Sequence, residues 1–197
     1  VYNFKRDNTS RAAGVTEANL GDVYNMPAKP SVPANATEIA SNNQYPLNGT
    51  QGLNSSKVYV IKKGTTITSG LNLNGATLYV EGELTINNFW QNSNGKLIVL
   101  GGTVNINSNQ NDGNAFLSSG VKLYNYDGKI TYNNSSSSDF FISANDEFYT
   151  NTDLDFNSKA LKVQGKFYAG GKVTTSDLKS FKGAIVNIQG GTEGLEN

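Results

Sequence analysis

The sequence predicts an all-β fold, a right-handed parallel β-helix behind an irregular N-terminal cap, on three observations. Short segments alternate apolar and polar residues with period two, as in GATLYVEGELTI (Gly75–Ile86) and KLIVLGGTVNI (Lys96–Ile106). That alternation describes a strand with one buried face. Segments of this kind recur roughly every 20 to 25 residues, the spacing of a solenoid. The chain also holds 28 Asn and 21 Gly among 197 residues, and these two residue types enter the positive-φ conformations of tight turns at least cost.

Residues 1–56 read as the cap. They hold all four prolines (Pro27, Pro30, Pro33, Pro46), the single Met26 and both arginines, Arg6 and Arg11. KPSVPANATE reads as extended chain, because proline fixes its own φ and bars the preceding residue from the α region. VTEANLGDVYN can form one or two helical turns, stopped at Gly21.

Residues 57–197 read as the β-helix. Leu78, Val80, Gly82, Leu84 and Ile86 align over Ile98, Leu100, Gly102, Val104 and Ile106. The pattern continues through Tyr124, Tyr126, Gly128, Ile130 and Tyr132, then Phe148, Thr150, Thr152, Leu154 and Phe156. Leu161, Val163, Gly165, Phe167 and Ala169 follow, and last Val186, Ile188 and Gly190. No helical period is present, nor a leucine-rich asparagine pattern, nor a strict six-residue step. An antiparallel sandwich is the competing arrangement. Stacked coils about 4.8 Å apart would form inward ladders such as Leu78–Ile98 and Val80–Leu100. Glycine at the bend between two strands of a coil would avoid crowding the coil above. One interval is anomalous: the step into the Gly165 copy is too short for a coil, so either the Phe148–Phe156 copy lies on another face or the alignment slips. TYNNSSSSDFF is expected to loop outward there, and NNFWQNSNG to turn between coils.

Lys and Arg together number 16, matching 16 Asp and Glu, so no field of one sign draws in nucleic acid or an anionic membrane. The absence of Cys and His removes disulfides, thiolate chemistry and the commonest general base. No stretch reaches the roughly 20 apolar residues of a membrane span. The low charge and the Asn, Thr, Ser and Gly content suit a secreted or cell-surface protein. The start at Val1 reads as a processed or trimmed chain.

From Lys57 onward, TLYVEGELTI, LIVLGGTVNI and ALKVQGKFYAGG resemble the pectin-lyase-like β-helix superfamily. VYVIKKGTTITSGLNLNG resembles the entry coil of its secreted bacterial members, adhesin passengers among them. The resemblance implies either a scaffold or adhesion role, or a polysaccharide lyase or glycoside hydrolase. The lyases bind Ca2+ through aspartates and commonly use an arginine base, but this chain has no arginine after Arg11. The hydrolases carry an Asn-Thr-Asp motif, matched at Asn151-Thr152-Asp153, whereas their Asp pair, histidine and Arg-x-Lys motif are missing. No catalytic residue is assigned, and the chain reads more as a binding module than as an enzyme.

Two sets of candidate site residues remain. Asp153 and Asp155 flank Leu154, so both are expected outward, where two carboxylates can share a Ca2+ ion; solvation of an exposed strand is the plainer reading. Asn111-Asp112-Gly113-Asn114 reads as a turn, lacking the bidentate Glu of a Ca2+ loop. Tyr79, Tyr149 and Tyr168 fall at outward positions, and Trp90 in a turn. Exposed rings on a rigid face can stack on sugars or anchor a cell-surface partner, although rings lying under a loop or the cap would look the same in sequence.

Overall fold

The computed structural model describes residues 26–40, 52–65, 72–87, 90–108, 116–134, 140–142, 145–158, 161–163, 165–176, 180–181, 184–187 and 192–193. The helical turns expected near Gly21 and the turn at Asn111–Asn114 lie outside them. In chain order the strands are β1 (Thr37–Glu38), β2 (Val58–Ile61), β3 (Thr77–Val80), β4 (Leu84–Asn87), β5 (Trp90–Val99) and β6 (Val104–Ser108). Next come β7 (Phe116–Asn125), β8 (Ile130–Asn134), β9 (Phe140–Ile142), β10 (Glu147–Thr150), β11 (Leu154–Ser158) and β12 (Leu161–Val163). The last are β13 (Lys166–Ala169), β14 (Val173–Ser176), β15 (Ser180–Phe181), β16 (Ala184–Asn187) and β17 (Thr192–Glu193).

These strands form an eight-stranded sheet (β1-β2-β3-β5-β7-β10-β13-β16), a six-stranded sheet (β17-β14-β11-β8-β6-β4) and a three-stranded sheet (β15-β12-β9). Every pairing among them is parallel. The chain therefore visits the sheets in turn and returns one place further along the stack. This is a parallel β-solenoid, and the antiparallel sandwich is excluded.

The core follows from the register. On the eight-stranded sheet Tyr59, Leu78, Leu97, Leu123, Phe148 and Phe167 stack in one inward row. On the six-stranded sheet Leu84, Val104, Ile130, Leu154 and Val173 form another. All are buried in one cluster, and burial of each such side chain contributes about 1.5–3 kcal/mol against the entropy of ordering its coil. Along the stack the filling changes from aliphatic to aromatic. Phe148 lies on Phe167 with centroids 5.2 Å apart, Tyr132 on Phe156 at 5.6 Å, and Tyr132 meets Phe148 edge-on at 5.7 Å.

The ladders on the eight-stranded sheet differ from the expected ones by one residue. Leu78 pairs with Leu97 and Val80 with Val99, so Ile98 falls on the outer face. On the six-stranded sheet Leu84 pairs with Val104 and Ile86 with Ile106, as aligned. The difference is absorbed at the corner. Glu81-Gly82-Glu83 separates β3 from β4, whereas Leu100-Gly101-Gly102-Thr103, one residue longer, separates β5 from β6. The same slip puts Leu123 and Asn125 inward in place of Tyr124 and Tyr126. It also explains the short interval. Gly165 lies between the three-stranded and eight-stranded sheets, and Phe167 continues the Phe148 row. TYNN belongs to β8 and pairs in register, so that part of the expected outward loop is strand.

A glycine at the corner is required in some coils and not in others. A Cβ on Gly128 would lie 2.2 Å from the Gly102 carbonyl oxygen of the coil below. On Gly82 it would meet only Lys63 atoms, at 3.6 Å, an ordinary contact. The N-terminal residues are tied into the same body. Ile39 and Leu53 are buried in the core cluster, the Ile39 amide donates to the Val60 carbonyl, and β1 pairs with β2.

Candidate functional site

The outer face of the eight-stranded sheet gathers the aromatic candidates. Because side chains alternate along each strand, the residues between the core positions form two outward rows. One is Val60, Tyr79, Ile98, Tyr124, Tyr149, Tyr168 and Val186 by register. The other is Thr77, Lys96, Lys122, Glu147, Lys166 and Ala184. Three of the four sequence candidates for ligand contact thus share one face, and Tyr79, Tyr149 and Tyr168 stand in a single row.

The rings do not lie flat on the sheet. Tyr124 and Tyr149 stack on one another with centroids 4.8 Å apart and 11° between planes; Tyr149 and Tyr168 follow at 6.1 Å and 34°. The coil spacing matches the thickness of stacked rings, so a tyrosine at one register position in successive coils packs on the next. Each ring spends its faces on its neighbours and turns its edge and hydroxyl outward. Tyr79 and Tyr149 are partly exposed, but Tyr168 is only 8% exposed. Outward placement was read correctly for Tyr168; free exposure was not. Tyr126 and Ile98 are likewise buried outside the core cluster.

The cover over Tyr168 includes the N-terminal segment, since the Met26 main chain hydrogen-bonds its phenol. Burial pushes the Tyr168 phenol above its ordinary pKa, and the Met26 bond offsets part of that. Burial likewise raises Tyr124, with Lys122 pulling it down and Glu147 up.

The polar row centres on Glu147. Its carboxylate takes a 2.9 Å hydrogen bond from the Tyr149 hydroxyl and faces Lys122 at 3.6 Å and Lys166 at 3.8 Å. Both lysines are about half exposed or more, so these pairs order the surface and contribute little stability.

Trp90 does not sit in a turn. β5 begins at Trp90, which pairs with Phe116 of β7. The alternation misses this because β5 carries its bend internally, at Asn94 and Gly95, both with positive φ. The Trp90 side chain and Phe89 lie outside the described part.

The two aspartates have different surroundings. Asp155 stands outward between Thr131 and Thr174 on neighbouring coils, while Asp153 sits at the corner, where its Oδ1 accepts the Lys172 amide at 2.7 Å. Among the described residues no three His, Cys, Asp or Glu side chains cluster as a metal site. Asn151-Thr152-Asp153 forms part of that corner, with Thr152 donating its amide to Thr150 Oγ1 at 3.1 Å. Glu147 was not singled out from sequence. The signal for it was a charge of one sign flanked by the opposite sign at equivalent coil positions, and it becomes legible only once the true register is known.

No family model, curated protein or solved structure matches this chain.

Proposed function

We propose that this chain is a non-catalytic, secreted or cell-surface β-helix module of pectin-lyase-like type. It serves as a rigid scaffold that contacts carbohydrate or another cell-surface partner through the tyrosine–lysine face. The observation that supports this most is the stacked, partly exposed Tyr124–Tyr149 pair beside Lys122, Glu147 and Lys166. Their faces being occupied, the rings would meet a sugar through phenol hydroxyls and ring edges, with the lysine and glutamate row supplying further hydrogen bonds.

A panel of neutral and acidic glycans tests the reading, with binding followed by calorimetry and unsaturated product by ultraviolet absorbance. Binding that Tyr149→Ala abolishes, without product, is the expected result. Product formation would overturn the non-catalytic assignment in favour of a polysaccharide lyase, and release of new reducing ends would favour a glycoside hydrolase. A Ca2+ titration in the same calorimeter, with Asp153→Asn and Asp155→Asn as controls, tests the aspartate pair.

A further inference from the structure

We propose that residues 26–40 form a releasable clasp that gates access to the tyrosine row, a regulation that rests on the binding role proposed above for that row.

Three anchors trace the segment. At one end the Met26 main chain hydrogen-bonds Tyr168 of β13. Three residues on, Lys29 pairs with Asp127, just after β7. At the other end β1 pairs with β2, and Ile39 is wholly buried. The segment therefore runs along the stack, across the coils.

Its length fits that path. Pro27, Pro30 and Pro33 favour polyproline II geometry, which advances about 3.1 Å per residue. The three residues from Met26 to Lys29 cover about 9 Å, and the two coil steps from β13 to β7 cover about 10 Å. Between Lys29 and Glu38 the chain is longer than the path needs. A turn, in which the Ala36 amide donates to the Pro33 carbonyl at 3.0 Å, takes up the slack.

The two ends are held unequally. The β1 end is fixed by strand pairing and by Ile39 in the core. The Met26 end is held by one hydrogen bond and by an ion pair whose partners are 46% and 50% exposed, a kind of contact that contributes little. Pro27, Ala28 and Lys29 are all exposed. A segment with a firm hinge and a weak catch opens at the catch first. The catch lies on Tyr168, the one described ring of the row that is buried. Opening it would lengthen the partly exposed row of Tyr124 and Tyr149 by one ring. The apparent affinity of a row ligand would then scale with the open fraction.

The test uses the full chain and nitration of tyrosines by tetranitromethane, mapped by mass spectrometry. Tyr59 and Tyr132, in the core, serve as protected references, and Tyr124 and Tyr149 as accessible ones. Lys29→Glu combined with Pro30→Gly and Pro33→Gly weakens the catch and loosens the open chain. Tyr168 nitration should rise about tenfold, the size of one surface ion pair and two proline changes. Adding Asp127→Lys to Lys29→Glu should return Tyr168 to protection by restoring the pair with reversed sign. Affinity for a row-binding glycan should rise with Tyr168 reactivity.

Wild-type Tyr168 reacting as fast as Tyr149 would overturn the clasp. Opening that leaves the affinity of a glycan bound by the wild type unchanged would overturn the gate. If Tyr168 opens and closes as expected while no variant binds any glycan, the gate on Tyr168 stands and the carbohydrate reading of the row fails.

Discussion

The carboxylate of Asp146 accepts the backbone amide of Val121, one coil away, at 3.0 Å. Pairing of β10 with β7 begins one residue later, at Glu147 and Lys122, so the side chain continues the ladder where the backbone leaves it. Asp146 is wholly buried. Asp146→Ala strands that amide away from water and should cost about 1–3 kcal/mol in a urea titration. Asp146→Asn keeps an acceptor oxygen and should cost less. Hydrogen exchange at Val121 should accelerate in the alanine variant more than in the asparagine one.

Phe148 fills the aromatic half of the core, touching both Phe167 and Tyr132. Phe148→Ala should destabilise by about 3–5 kcal/mol, the cost of lost burial plus a cavity. Coils in a stack contact mainly their neighbours. Protection against exchange should therefore fall first around β10 and β13, and last around β2 and β3.

Glycine substitutions at equivalent corners should diverge. Gly128→Ala drives a methyl group into backbone of the adjacent coil and should lower the melting temperature by several degrees or prevent folding. Gly82→Ala meets only a side chain and the backbone edge of Lys63 at ordinary distance, and should be close to neutral. Equal losses from the two would show that crowding does not explain the Gly128 requirement.

Alkaline pH should unfold the protein through its buried phenols. Burial, with a smaller contribution from Asp146, holds the Tyr132 pKa well above 10.0. The folded state thus keeps a proton that the unfolded chain gives up. The associated stability is full below pH 10.0 and is lost as pH rises from there toward the folded value. Tyr132→Phe should flatten that decline in a series of denaturant titrations across pH 9 to 11, a window set by the ordinary phenol pKa of about 10.

The period-two alternation made the solenoid legible in sequence, because an inward residue must be apolar in every coil. The inward position within each strand was less legible. LIVL in β5 is apolar on both faces, since Ile98 is buried on the outside as well, so alternation there does not choose between Leu97 and Ile98. Tyr124 misled for the same reason: a tyrosine is apolar enough for a core and is also stable stacked on Tyr149. The corner length, one residue longer at Gly101-Gly102, leaves no compositional mark. The clasp was legible as extended chain from its prolines, but nothing in KPSVP says which surface it lies upon. That depends on Asp127 and Tyr168, far along the sequence.

The bond between Lys29 and Asp127 joins residues 98 positions apart, and the one between Met26 and Tyr168 spans still more. As the chain emerges from synthesis, coils can add one upon another, yet the earliest segment has nowhere to fasten until β13 exists. Closure is then the final act of assembly. In refolding experiments Tyr168 should become protected from nitration after the core tyrosines Tyr59 and Tyr132, and simultaneous protection of all three would refute that order.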